Sequence, residues 1–259
     1  MTITNDIKEY FSEIFSILET NSSISKLLLS DEFDYDELVS WITEYVFKSD
    51  VWRWEKQIVF DEVEFSFRAG ETKMVIIIND YRKNISNKYD QQFVIKIPFV
   101  NTKYDYCERE EMITSILEDS IYSELKDLFA LCYFIFNKYK TDVYIMQRVE
   151  IDDESVKGAS KLIDYDIKRL EKKGYSQEEI ADYIKNSRYR YRYYSGSEKV
   201  AKEILSVSYP FEIYALLEEF LITYEINDIH RANIGFVNNN PVIIDYSGYH
   251  EESCYSTYS

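Results

Sequence analysis

Residues Asn227–Gly248 read NDIHRANIGFVNNNPVIIDYSG, with two aspartates, a histidine and an asparagine set around a short apolar hairpin. ANIGFV, a turn at Asn238–Asn240 and PVIID make the two strands, and Pro241 is tolerated at a strand start. Asp228 precedes Asn233 by five residues, and Asp245 closes the second strand twelve residues later. Such residues also cap and turn a chain after a helix. As a set they offer more: one carboxylate to orient or deprotonate an attacking hydroxyl, and an amide oxygen with a second carboxylate to hold Mg²⁺ against phosphates. Mg²⁺ takes hard oxygen ligands of this kind.

Working outward, Ile213, Leu217, Phe220 and Tyr224 recur at helical spacing, which predicts a long, well-buried helix over Tyr209–Ile226 that delivers the chain to this loop. Two short helices are expected between Asp164 and Asn186, the second opened by a capping box of Ser176 and Glu179. Tyr106–Phe129 reads as helix with Glu110, Ile113, Leu117 and Ile121 on one face, and DVYIMQRV after it as strand. From Lys56 to Phe99 the runs KQIVFDEVEFSF, MVIII and FVIKIPF predict an antiparallel sheet of at least three strands. Nearer the N-terminus, Ile7, Tyr10, Phe11, Ile14 and Leu18, then Leu38, Trp41, Ile42 and Val46, predict two or three short helices. The fold class is therefore α+β.

Composition bounds the function. With 30 basic against 47 acidic residues the chain carries a net charge of -17, which repels a phosphate backbone and argues against whole-surface nucleic-acid binding. No apolar run approaches the ~20 residues of a membrane span. Three cysteines without metal-type spacing, and an N-terminus lacking an apolar signal core, point to a reducing cytoplasm. Only six glycines and three prolines occur, so flexible linkers are scarce.

DIHRANIGFVNNNPVIIDYSG resembles the catalytic-loop and metal-binding segment of the protein-kinase-like fold. It is most similar to the D-[LI]-H-x-x-N form found in small-molecule kinases, atypical kinases and kinase-like proteins of phages. The resemblance implies Asp228 as catalytic base, Asn233 and Asp245 as metal ligands, and His230 as a residue that orients the loop. FVIKIPF is similar to the strand that carries the nucleotide-phosphate lysine, here Lys96, a charged residue in an apolar strand that needs a partner or a ligand. Glu108, Glu110 and Glu111 are its candidate partners, and Glu110 is favoured because it shares a helix face with Ile113 and Leu117. YIMQRVEI stands where the family has its hinge, with adenine contacts from the backbone of Gln147 to Val149. The implied architecture is two-lobed: a helical N-terminal extension (1–50), a β-rich nucleotide lobe (51–150) and an abbreviated helical C-terminal lobe with the catalytic hairpin (151–259), the lobes holding ATP and Mg²⁺.

The expected function is ATP- and Mg²⁺-dependent phosphotransfer to a protein or small-molecule hydroxyl, in the cytoplasm, or the host cytoplasm for a phage protein. Two departures from the family pattern motivate an alternative. A single glycine, Gly70 in FRAGETK, stands where a glycine-rich loop is usual, and little chain follows Gly248. The alternative is a pseudokinase-type module that binds a host protein; nucleotidyl transfer is a third reading. RYRYRYY (Arg188–Tyr194) alternates basic and aromatic residues, either to grip an acidic ligand or to balance an acidic surface.

Overall fold

Along Val63–Ala69 the buried apolar residues are Val63, Phe65 and Phe67; along Lys73–Asp80 they are Met74, Ile76 and Ile78; along Phe93–Pro98 they are Phe93, Ile95 and Ile97. A period of two puts each set on one face of a sheet. The computed structural model describes residues 3–30, 33–42, 45–48, 51–70, 72–82, 89–100, 106–138, 141–150, 161–183, 198–230 and 233–248. Its strands are β1 (Tyr45–Lys48), β2 (Val51–Phe60), β3 (Val63–Ala69), β4 (Lys73–Asp80), β5 (Phe93–Pro98), β6 (Cys132–Lys138), β7 (Thr141–Gln147), β8 (Ile234–Val237) and β9 (Asn240–Ile243). The first seven form one sheet in the order β1-β2-β3-β4-β5-β7-β6, each pair antiparallel.

Helices α1 (Asn5–Thr20), α2 (Ser22–Leu28) and α3 (Tyr35–Ile42) precede the sheet. The apolar stripe of α1 is buried, with Phe11 edge-on to Phe93 and Phe15 edge-on to Phe136. The Tyr10 hydroxyl donates to Asp80 at 3.1 Å, and Arg82 donates to both Asp80 and Glu13. Helix α4 (Tyr106–Asp119) joins β5 to β6.

Three expectations change. Val46 lies in β1, paired with Arg53, and not in a helix: β-branched and aromatic residues either side of a short turn pair as strands more readily than they extend the α3 period. KQIVFDEVEFSF is two strands, split where Asp61 and Glu62 adopt φ of 51° and 58°, the paired left-handed conformation of a tight hairpin turn. Ile121 falls beyond the end of α4 and is 80% exposed, so it does not share the buried face of Ile113 and Leu117.

The described chain divides into two compact units. The first holds everything up to Thr114 together with Leu131–Arg148, so α1–α3 and the sheet belong to one body. The second holds Ser115–Ala130 and Val149–His250. It contains α5 (Lys161–Lys172), α6 (177–183), α7 (Glu198–Ser208), α8 (Phe211–Thr223) and the β8–β9 hairpin. Ser176 and Glu179 exchange the two hydrogen bonds of a capping box at the start of α6. Arg169 of α5 donates to Glu203 of α7 at 2.6 Å. Helix α8 buries Leu217, Phe220 and Leu221 but exposes Phe211 and Ile222, so it is covered on one face only. Among the described residues no helix is long and apolar enough to cross a membrane. The Arg188–Tyr194 run, His250 and Cys254 lie outside the described residues.

Candidate functional site

In the first unit, Lys96 lies on the face of β5 opposite to Ile95 and Ile97, and it is buried. Its ammonium donates to Glu110 Oε2 at 2.6 Å. Glu110 is the glutamate that reaches it: Glu108 is exposed, and Glu111 is half-buried with its carboxyl pushed up by burial and by the charge of Glu108. The other Glu110 oxygen, Oε1, accepts from Lys73 of β4 at 3.0 Å. Lys73 stands at the start of a strand, a position that carries no sequence signal of burial, yet it is buried.

One turn further along α4, Thr114 Oγ1 accepts the Cys132 N–H at 2.9 Å and ties the helix to β6. This fixes Glu110 against the sheet. A buried carboxylate needs such ammonium partners, because an unpaired charge at this depth costs several kcal/mol, about 3–5 when one partner of a buried pair is removed.

In the second unit, α8 ends because Glu225 turns left-handed at φ 51°, with Ile226 N–H returning to Leu221 O and Glu225 N–H to Ile222 O. Buried Ile226 and Ile229 then anchor the loop, leaving Asp228 and His230 partly exposed. Asn233 is buried, and its amide nitrogen donates to the Asp228 carbonyl at 2.8 Å, so the opposite end of the amide, Oδ1, is the atom suited to a cation. His230 Nε2 lies 3.5 Å from Asp228 Oδ1.

Asn238 and Asn239, at φ 50° and 67°, turn β8 into β9, and the register pairs Ile234 with Ile243. Ile244 N–H donates to Asn233 O at 2.8 Å, which brings the residue before Asp245 alongside Asn233. Asp245 itself sits at φ 53°. A non-glycine residue in that region costs on the order of 1–3 kcal/mol and persists only where its surroundings hold it. The holding contact is next door: Tyr246 is fully buried and its hydroxyl donates to Ala130 O at 3.0 Å.

Asn233 and Asp245 each carry a hard oxygen of the kind Mg²⁺ takes, and the Ile244–Asn233 bond brings their stretches of backbone side by side. Among the described residues no group of three or more His, Cys, Asp and Glu side chains forms a ligand set by itself.

Of the expected hinge contacts, the Gln147 N–H is committed to Leu131 O, Arg148 N–H to Gln92 O and Glu150 N–H to Phe236 O. The remaining residue of the expected hinge is Val149. Val149 also meets Gly235, where an added Cβ would stand 2.5 Å from Val149 Cγ2, so only glycine permits this approach of the 149–150 segment to β8. Compared with known proteins, the chain matches no protein-family model and no curated protein sequence.

Proposed function

We propose that the chain is a Mg²⁺- and ATP-dependent phosphotransferase with a two-lobed protein-kinase-like fold, acting on a hydroxyl of a protein or small molecule. The observation that carries this reading is the backbone frame in which Asn233 is bonded to Asp228 on one side and to Ile244, beside Asp245, on the other. That frame supports two carboxylates and an amide acting on one phosphoryl group. The buried Lys96–Glu110 pair supports it independently.

Asp228 accepts the proton of the acceptor hydroxyl as its oxygen attacks the γ-phosphorus and the bond to the β–γ bridging oxygen breaks to release ADP, and His230 steadies the Asp228 carboxylate. Asn233 and Asp245 would hold Mg²⁺, which when bound would offset the charge on the phosphates. Lys96 binds nucleotide phosphates, Glu110 keeps it aimed, and the Val149 N–H with the backbone near Gln147 meets the base.

The test is transfer of label from γ-labelled ATP. Asp228→Ala is expected to cut transfer about 10²–10⁴-fold, the usual scale for a general base, with ATP binding retained. Asp245→Asn should abolish the Mg²⁺-dependent part of binding. Transfer unchanged in both variants would overturn the reading, and label delivered from the α-phosphate would indicate nucleotidyl transfer.

A second reading, a binding module for a host protein, is favoured by the tight turn at Gly70, whose N–H donates to Lys73 O at 2.9 Å. This turn offers a single glycine for phosphate approach. Failure of wild-type protein to bind any nucleotide would select it.

A further inference from the structure

Helix α8 is buried along Leu217, Phe220 and Leu221, and its other side carries an apolar row that the fold leaves in solvent. Phe211 and Ile222 are each 78% exposed, and Ala215 is exposed between them. Positions 211, 215, 218 and 222 step by four, three and four residues, so they line one side of the helix over about 16 Å. Single exposed apolar residues are ordinary on a protein surface, whereas a helix with apolar rows on two sides is patterned for packing on both. A neighbouring segment extends the row. Tyr122 packs edge-on against Phe220 and Tyr224, and its hydroxyl donates to Glu219 at 3.3 Å, which places the preceding Ile121, itself 80% exposed, beside the same helix.

The charge on this side has one sign. Helix α8 holds Glu212, Glu218 and Glu219, all exposed, and no lysine or arginine. Glu218 lies in the row itself, where it accepts from the Tyr214 hydroxyl at 3.1 Å, a bond that leaves its charge in place. An apolar row rimmed by carboxylates selects its occupant. A second copy would set these glutamates against their own kind in a chain of net charge -17, and nucleic acid or an anionic lipid surface is repelled in the same way. Apolar side chains at helical spacing, flanked by lysine or arginine, complement it in both respects.

We propose that the exposed side of α8, together with Ile121, docks a basic amphipathic helix of a partner protein. Its apolar side chains cover Phe211, Ala215 and Ile222, and its cations meet Glu212, Glu218 and Glu219. The small Ala215 between two large residues lets the partner helix approach closely. Nucleotide takes no part in this contact, so loss of phosphotransfer leaves it standing and loss of docking leaves phosphotransfer standing.

Fluorescence anisotropy of a labelled helix-forming peptide of about 18 residues, leucines on one side and lysines on the other, titrated with the full chain, tests it. Wild type is expected to bind this peptide, and to bind a glutamate-for-lysine version or a scrambled version at least about tenfold more weakly. Phe211→Ser and Ile222→Ser leave the charge untouched and should each weaken binding at least about tenfold. Glu212→Gln with Glu218→Gln should weaken it about fivefold, against less than about twofold for Glu9→Gln with Glu178→Gln, exposed residues of other helices that change the net charge equally.

Absence of binding to wild type overturns the proposal. So does binding indifferent to Phe211→Ser and Ile222→Ser, or equally sensitive to both glutamate pairs, which would be general attraction to an acidic chain. Self-association in sedimentation that Phe211→Ser abolishes would assign the side to a second copy, and retention on phosphatidylcholine vesicles that Phe211→Ser abolishes would assign it to a membrane; either overturns the proposal. If Phe211→Ser does not fold, amide exchange of residues 211–223 in wild type decides: slowing by the lysine peptide supports docking, and unchanged exchange overturns it.

Discussion

Cys132 is wholly buried, and burial first, then the nearby Glu110 carboxylate, pushes its thiol well above the ordinary cysteine range. The thiolate is the reactive form, so iodoacetamide at about pH 8 is expected to leave Cys132 unmodified in the native chain and to label it in denaturant, read by peptide mass. Labelling of native protein would show that the α4–β6 contact opens readily. The linkage runs the same way: a folded value raised above the unfolded ~8.5 gives stability that is present below that pH and lost as pH climbs toward the folded value. Cys132→Ala should therefore show a flatter alkaline loss of stability than wild type. Gly235 makes the steric counterpart. Gly235→Ala must push Val149 away and is expected to cost about 1–3 kcal/mol in urea unfolding, and a Val149→Ala change in the same chain should return a good part of it. At this scale the sequence was informative about charges in apolar runs. Lys96 within FVIKIPF stood out, and the face shared with Ile113 and Leu117 singled out Glu110. Lys73 did not stand out, because a lysine that opens a strand after a turn looks solvated until tertiary packing covers it.

Helix α1 is held to the sheet by more than its apolar stripe. Asp80 accepts from Tyr10 and from Arg82, and although burial pushes its carboxyl up, the Arg82 hydrogen bonds hold it below the usual carboxylate range. A depressed value means a contribution that is full above the unfolded ~3.9 and disappears as pH falls through the folded value. Acidification below about pH 4 should thus loosen α1, seen as faster amide exchange in residues 5–20, and Asp80→Asn should show that fast exchange already at neutral pH. Equal exchange in the two proteins at neutral pH would mean that the aromatic contacts alone dock the helix. The periodic elements α1 and β3 to β5 were legible from spacing. Strand β6 was not, since a register shift between Phe134 and Phe136 breaks the alternation by which CYFIFNK would declare itself. The β2–β3 turn was hidden likewise, because Asp-Glu is not a residue pair that announces two left-handed positions. In the hairpin that carries Asp245, by contrast, the asparagines at the turn are residues that tolerate that conformation, and the sequence placed the turn correctly.

At the scale of the whole chain, a charge of -17 sets the terms on which any phosphate ligand binds. The division into two units, which falls within α4 between Thr114 and Ser115, could not be read from composition, because the chain contains few of the linker residues that mark boundaries. The charge, by contrast, is read directly and has a signed consequence. On the proposed phosphotransferase reading, a polyphosphate approaching this protein would be repelled at long range by the net charge and attracted at short range by the buried Lys96. Salt screens exposed charges beyond about 10 Å at 0.1 M, and screens buried pairs much less. Raising salt from about 0.01 to 0.15 M should therefore remove more repulsion than attraction, leaving Mg²⁺-ATP affinity unchanged or somewhat tighter. A protein that captures phosphates on a broad basic surface behaves in the opposite way, losing affinity steeply as counterion release weakens. Titration of Mg²⁺-ATP across that salt range decides between them: a steep loss would locate the attraction in exposed cations and would count against the buried Lys96 as the phosphate-binding charge.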